Sequence, residues 1–255
     1  MKLSLSSVLL PYVRPLLTPF PKLRMLLIKL CILLEEKRDP EQSLRWLFQV
    51  NEFTEEWIDR QAIAWGHGVH MKHKVMDGIH DFFCERVPPG SRVLDVGCGI
   101  GALANELARS VDRVQVTGVD CNAEHIRFAK ERYNSPNLHF AQADATRDLP
   151  DQSVDIIILS SVLEHITDRK GFLGALIGAY NPKRFLIRVP TCEQHFHAAM
   201  KRNLGIFPYV DRDHKTEYTL NQFHEEINNA GLVAVSTETR WGDIWAECRI
   251  ADIEK

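Results

Sequence analysis

The stretch Val93-Leu94-Asp95-Val96-Gly97-Cys98-Gly99-Ile100-Gly101 decides how this chain is read. An apolar run that ends on alternating glycines and meets a helix-forming segment at Ala102 describes a strand, a tight loop and a helix, with backbone free to approach a ligand at the helix N-terminus. Outward from it, short apolar runs at 92–96, 114–120, 138–142, 154–160 and 185–189 alternate with helical patterns, which predicts a parallel sheet. Two further runs, 232–239 and 244–250, are joined by a turn at Trp241-Gly242-Asp243, so the last strand is expected to run antiparallel to its neighbour. Helices are expected at about 40–60 and, after a loop at 65–70, up to about Val87, where Pro88, Pro89 and Gly90 stop the second.

Composition narrows the class. With 255 residues, 45% hydrophobic and 25% charged, the chain can bury a large core, which excludes disorder as its main state. Lys and Arg number 31 against 34 Asp and Glu, so the net charge of -3 supplies no general attraction for nucleic acid. The 6 cysteines (Cys31, Cys84, Cys98, Cys121, Cys192, Cys248) form no CxxC pair, which fits a reducing compartment and a cytoplasmic location.

Three acids at successive strand ends carry the ligand reading. Asp95 faces the glycine loop, where a carboxylate repels a pyrophosphate and attracts a cation. S-adenosylmethionine, with a sulfonium and an ammonium against one carboxylate, is such a ligand. Asp120 ends the second strand, where it can accept from both ribose hydroxyls, a feature that an NAD site shares. Asp144 ends the third, within reach of an adenine amino group. Other readings stand beside these: Asp95 as organiser of the loop, Asp120 and Asp144 as helix or turn caps, and Cys98 as a small residue that fits the loop.

At this point the sequence resembles the class I S-adenosylmethionine-dependent methyltransferases, in their small-molecule "type 11" branch. The resemblance rests on VLDVGCGIG (93–101), VTGVD (116–120), QADATRDLPDQSVDIIILSSVLEHI (142–166) and NPKRFLIRVP (181–190). It implies a doubly wound α/β fold with a seven-stranded, mostly parallel sheet, its last strand antiparallel, following N-terminal helices. It also implies that Asp95, Gly97, Gly99, Asp120 and Asp144 hold the cofactor, with Cys98, Gly101, Cys121, Ala145 and Ser160 completing the cofactor-binding set. Residues 65–73, 213–219 and 240–245 are similar to methyltransferases of bacterial surface-glycan biosynthesis clusters. The expected activity is O-methylation of a small-molecule or glycan hydroxyl, lipid-linked in one version. An NAD-dependent oxidoreductase and a non-catalytic methyltransferase-fold subunit are the competing classes.

The acceptor side is read from 191–219, a long segment rich in histidine and tyrosine at the carboxyl edge of the sheet. His214 is the first candidate for removing the acceptor proton and His195 the second. The resembling quinone O-methyltransferases carry a metal-binding glutamate three residues before the Glu-His pair. Ser161 stands there, so Glu164 and His165 are expected to bind no metal. His67, His70 and His73 are likewise read as non-metal. The Asn/Asp-Pro-Pro-aromatic motif of DNA amino-methyltransferases is replaced by Ser160-Ser161-Val162-Leu163, which disfavours nucleic-acid bases.

Residues 1–60 read as a helical extension before a methyltransferase domain at 61–255. Its basic residues are Lys2, Arg14, Lys22, Arg24, Lys29, Lys37 and Arg38, and a helix at 23–34 places Leu23, Leu26, Leu27, Leu30, Leu33 and Leu34 on one face. Pro11, Pro15, Pro19 and Pro21 exclude a spanning helix over this stretch. Two covers suit the leucines: protein, either the following domain or a second copy in a homodimer, or an anionic surface at the inner membrane face.

Overall fold

Four consecutive aliphatic side chains, Ile156 to Leu159, are all buried, as in a strand covered on both faces. In the computed structural model, which describes residues 18, 20–35, 37–76, 78–148 and 150–252, they belong to a strand at the centre of a seven-stranded sheet. The strands are β1 (Arg92–Val96), β2 (Gln115–Asp120), β3 (Leu138–Gln142), β4 (Ile156–Ser160), β5 (Arg184–Pro190), β6 (Leu232–Arg240) and β7 (Asp243–Ile250), in the order β3-β2-β1-β4-β5-β7-β6. The pairings among β1 to β5 are parallel, and β7 runs antiparallel to both β5 and β6. This is the expected α/β sheet. Trp241 (φ 54°) and Gly242 (φ 81°) make the two-residue turn between β6 and β7, both left-handed as a type I′ hairpin requires.

The helices are α1 (Pro21–Glu35), α2 (Pro40–Trp65), α3 (Lys72–Val75), α4 (Asp81–Arg86), α5 (Ala102–Ser110), α6 (Ala123–Arg132), α7 (Arg169–Tyr180), α8 (His197–Asn203) and α9 (Leu220–Asn229). Asn122 caps α6 by accepting from the Glu124 and His125 amides, and Thr219 with Gln222 forms a capping box on α9. Two sequence boundaries need correction. The helix expected to end at about residue 60 runs on to Trp65, and the segment expected to be helical up to Val87 is broken into α3 and α4, with Gly78 left-handed (φ 74°) between them.

The chain divides into two compact units, Met1–Trp57 with Asn203–Ile206 and Ile58–Arg202 with Phe207–Lys255. The second unit holds the whole sheet. One apolar cluster joins Leu94, Val96, Ile157 and Leu159 to Phe172, Leu173 and Phe223, and another joins Val93, Ile156 and Ile158 to Phe82, Phe83, Leu107 and Trp245. Alternate residues of β1 and β4 thus feed opposite layers, the signature of a doubly wound sheet. In the first unit α1 buries none of its residues, and Leu26, Leu30, Leu33 and Leu34 are all exposed. Apolar side chains surround α1 instead of forming a single face. Lys2 and Arg14 of the basic extension lie outside the described residues. No helix of the described residues is long and apolar enough to cross a membrane.

Candidate functional site

The loop from β1 to α5 is a cradle of left-handed glycines. At Gly101 (φ 80°) a Cβ would lie 2.5 Å from Phe140 Cζ, so packing demands glycine there; at Gly99 (φ 53°) nothing lies within 4 Å, so the backbone faces open space. Asp120 ties this loop down: its Oδ2 accepts from the Gly99 amide at 2.9 Å and its Oδ1 from the Asn122 amide at 2.8 Å. Asn122, not Asp120, caps the helix that follows.

Asp95 is 2% exposed, and its Oδ2 has no hydrogen-bond partner among the described residues. The loop-organising role considered for Asp95 therefore falls to Asp120. Burial, reinforced by the field of Asp120, pushes the Asp95 carboxyl up to about 7. Such a group is poised to receive a cation, and with the open backbone at Gly99 it fits a sulfonium- and ammonium-bearing ligand. Cys98 packs beneath the loop against Gly118, and burial raises its thiol, so it is the fitting small residue and not a nucleophile.

The remaining cofactor candidates follow the sheet edge. Asp144 Oδ1 accepts from the Thr146 amide (3.0 Å) and hydroxyl (2.6 Å), bonds that hold its carboxyl below the usual range. Its turn-capping reading is realised, and its Oδ2 faces Arg147 at 3.6 Å. Ala145 is half-buried against the core. Cys121 is exposed, its carbonyl accepting from Gln142 Nε2. Ser160 closes β4 in register with Arg188.

Past β4, a single 3₁₀ turn (Leu163–His165) meets the 213–218 segment: the Lys215 amide donates to the Glu164 carbonyl at 2.6 Å. His214 thereby comes beside Glu164 and His165, with one donor atom of each residue within 4.8 Å of the others. Sequence spacing around the Glu-His pair did not show that His214, distant in sequence, brings a third possible ligand atom beside it. His214 Nδ1 lies 2.9 Å from Glu217 Oε1. Burial pulls the imidazole down, but the Glu217 hydrogen bond and the fields of Glu164 and Glu217 outweigh it and raise His214 above its ordinary value. Glu164 is 1% exposed, its Oε2 has no hydrogen-bond partner among the described residues, and burial raises it to about 7. His195, the second candidate base, is exposed; its Nδ1 accepts from the His197 amide in its own loop.

Sequence reasoning missed the polar wall next to this cluster. Arg188, on β5, donates from Nε (2.8 Å) and Nη2 (2.6 Å) to Asp243 Oδ2. Asp243 is pushed up by burial, which Arg188 opposes, and Lys72 is pulled down by burial and by the charge of Arg188. His73 Nδ1 and His80 Nε2 are 3.0 Å apart, and burial, then His80 and Lys72, take His73 down to about 3. The pair is therefore uncharged at neutral pH. In sequence, Arg188 reads as a strand residue between apolar neighbours; its pairing with Asp243 could be found only by aligning β5 against β7.

Comparison with known proteins adds four findings. Residues 93–183 match the family model of a methyltransferase domain. Over 98 residues the chain is 39% identical to an uncharacterized methyltransferase of Mycobacterium bovis, covering 38% of this chain and 49% of that protein, so the chain spans about half the length of this relative. Over 71 residues it is 44% identical to a fatty-acid O-methyltransferase of Mycolicibacterium smegmatis, covering 27% of this chain and 26% of that one. A SAM-dependent methyltransferase structure from Aquifex aeolicus superposes with a TM-score of 0.57 at 18% identity, covering 77% of this chain and 98% of that chain, which shows the shared fold.

Proposed function

We infer from the methyltransferase-domain match over residues 93–183 and the shared fold that the chain is a class I S-adenosylmethionine-dependent methyltransferase, and we propose that it methylates a hydroxyl of a small-molecule or glycan acceptor, with His214 taking the acceptor proton. S-adenosylmethionine supplies an electrophilic methyl group on a sulfonium. Asp95 and Asp120 would hold its charged and ribose parts, and the Gly99 backbone would lie against it. The observation that carries the acceptor reading is the His214 Nδ1 to Glu217 Oε1 contact of 2.9 Å. With Nδ1–H donating to that carboxylate, the imidazole keeps Nε2 as the basic nitrogen, which suits proton removal from a hydroxyl. The unpartnered Glu164 Oε2 is a ready acceptor for the same hydroxyl before transfer.

The exposed leucines of α1, with Lys22, Arg24 and Lys29 among them, support a peripheral position on an anionic membrane, and with it a lipid-linked acceptor. The similarity to a relative named for a fatty-acid acceptor supports the same class. The test is methyl-labelled S-adenosylmethionine incubated with aqueous and lipid extracts of bacterial cells. Label is expected in a base-stable ether product with the wild-type protein and lost with His214→Asn, while S-adenosylhomocysteine binding is kept. Label recovered only on amines, or undiminished in His214→Asn, overturns the O-methylation reading.

A further inference from the structure

At the turn end of the β6–β7 hairpin two guanidinium groups meet over one indole ring. Arg188 is in register with Trp245 and Arg240 with Asp243, and Arg188 also binds Asp243, so these four side chains share one face of the sheet. The fully buried Trp245 ring is the platform: the Arg188 guanidinium carbon lies 4.9 Å from its centroid and that of Arg240 4.5 Å. Arg188 spends two donors on Asp243. Arg240 spends none of its side-chain donors within hydrogen-bond distance: its Nε and Nη2 are buried without a partner, and Glu238 Oε1 lies 3.8 Å from Nη2. Lys72, half-buried, is pulled down by burial and by the charge of Arg188, against the fields of Asp243 and Asp59.

Asp243 answers Arg188, the more exposed Glu238 stands 3.8 Å from Arg240, and Lys72 feels Asp243 and Asp59, so the unmet donors of the group are those of Arg240. Buried donors without acceptors are costly, so a native arrangement of this kind implies a ligand that supplies the acceptors. The group also adjoins the site of proton removal: the Ser161 amide donates to the Arg188 carbonyl at 2.9 Å, and Glu164 senses both Asp243 and Arg188. We propose that Arg240 and Arg188 form an anion subsite that holds a phosphate or carboxylate of the methyl acceptor. This rests on the methyltransferase reading, and it narrows the acceptor to a molecule carrying both a hydroxyl and an anionic group. Arg240 supplies the fork of donors and Trp245 keeps both guanidinium groups in place.

The test uses the full chain saturated with S-adenosylhomocysteine and titrated with inorganic phosphate and, separately, with acetate, followed by NMR or calorimetry. Millimolar binding of one anion is expected, and which one binds distinguishes a phosphate-bearing from a carboxylate-bearing acceptor. Arg240→Gln is expected to weaken that binding about tenfold to a hundredfold, with S-adenosylhomocysteine affinity unchanged. Glu238→Gln, which leaves the donors in place and removes an opposing charge, is expected to tighten it. Absence of anion binding, or binding indifferent to both variants, overturns the proposal. So does an equal loss of S-adenosylhomocysteine affinity in Arg240→Gln, which would assign the cations to the cofactor's own carboxylate. Failure of the wild-type chain to bind S-adenosylhomocysteine would instead refute the methyltransferase reading itself.

Discussion

Replacing Asp95 by Asn should stabilise the free protein and disable it. In the folded chain the carboxyl moves from 3.8 to about 7, chiefly because burial opposes its charge and secondarily because Asp120 does. At about 1.4 kcal/mol per pH unit, the ionised form costs on the order of 4 kcal/mol. The folded state holds the Asp95 proton more tightly than the unfolded chain, so this group's contribution to stability falls as pH rises from 3.8 to about 7 and stays low above that. Asparagine cannot ionise and lacks this slope. The difference in unfolding free energy between Asp95→Asn and wild type should therefore shift in the variant's favour by roughly 2–3 kcal/mol between pH 5 and pH 8. Part of the absolute gain is offset by the orphaned amide, roughly 1–3 kcal/mol. Urea titrations of both proteins at the two pH values measure it, with the slope against denaturant as the check on two-state behaviour. Calorimetry supplies the functional half: S-adenosylmethionine binding by wild type should release a proton below pH 7 and tighten as pH rises, and Asp95→Asn should show neither effect. A stability difference independent of pH, together with cofactor binding unaltered by the substitution, would refute the reasoning.

Further outcomes follow from the same geometry. His214→Asn is expected to lower kcat by about a hundredfold to ten-thousandfold with cofactor affinity intact, and Glu217→Gln by less. Wild-type kcat should rise with pH through a transition above 6.5, because the base must be neutral and His214 is raised. Dialysis against a chelator should leave turnover intact; a loss restored by a divalent ion would assign Glu164, His165 and His214 to a metal. Gly90→Ala and Gly101→Ala both force a left-handed alanine, at roughly 1–2 kcal/mol. Only Gly101→Ala adds the collision with Phe140, roughly 1–3 kcal/mol more, so the two urea midpoints should separate. Sedimentation with anionic vesicles should retain the full chain in a salt-sensitive manner and leave a chain starting at Pro40 in the supernatant, still able to bind S-adenosylhomocysteine.

Much of this molecule was legible in one dimension because its strands are short apolar runs buried on both faces, and glycine, proline and acidic residues mark their ends. The glycine loop was legible for the same reason: 93–101 is contiguous, and its backbone geometry is written in its glycines. What remained hidden depends on contacts between distant segments. His214 becomes a neighbour of Glu164 only because the 213–218 segment docks on the 3₁₀ turn, a contact made by a backbone amide and carbonyl that no side-chain pattern announces. Arg240 looks like an ordinary charge at the end of an edge strand until the hairpin register places it over Trp245. The break between α3 and α4 was missed because one glycine within a helical pattern does not reveal whether it will turn left-handed.

The placement of β7 has a consequence for how the molecule is made. The strands around the glycine loop, β1 to β4, come from one uninterrupted segment, residues 92–160, and pair with one another alone apart from the β4–β5 contact. The polar wall of Arg188, Arg240 and Asp243 is assembled otherwise: β6 pairs with β7, and β7 must slide between β6 and β5. A chain emerging from the ribosome can thus close its glycine cradle while the strand that carries Asp243 and Trp245 is still inside the exit tunnel. During that interval β5 presents a bare edge of Phe185 to Pro190, a docking site for chaperones or for the wrong strand, and it is covered only when β7 arrives.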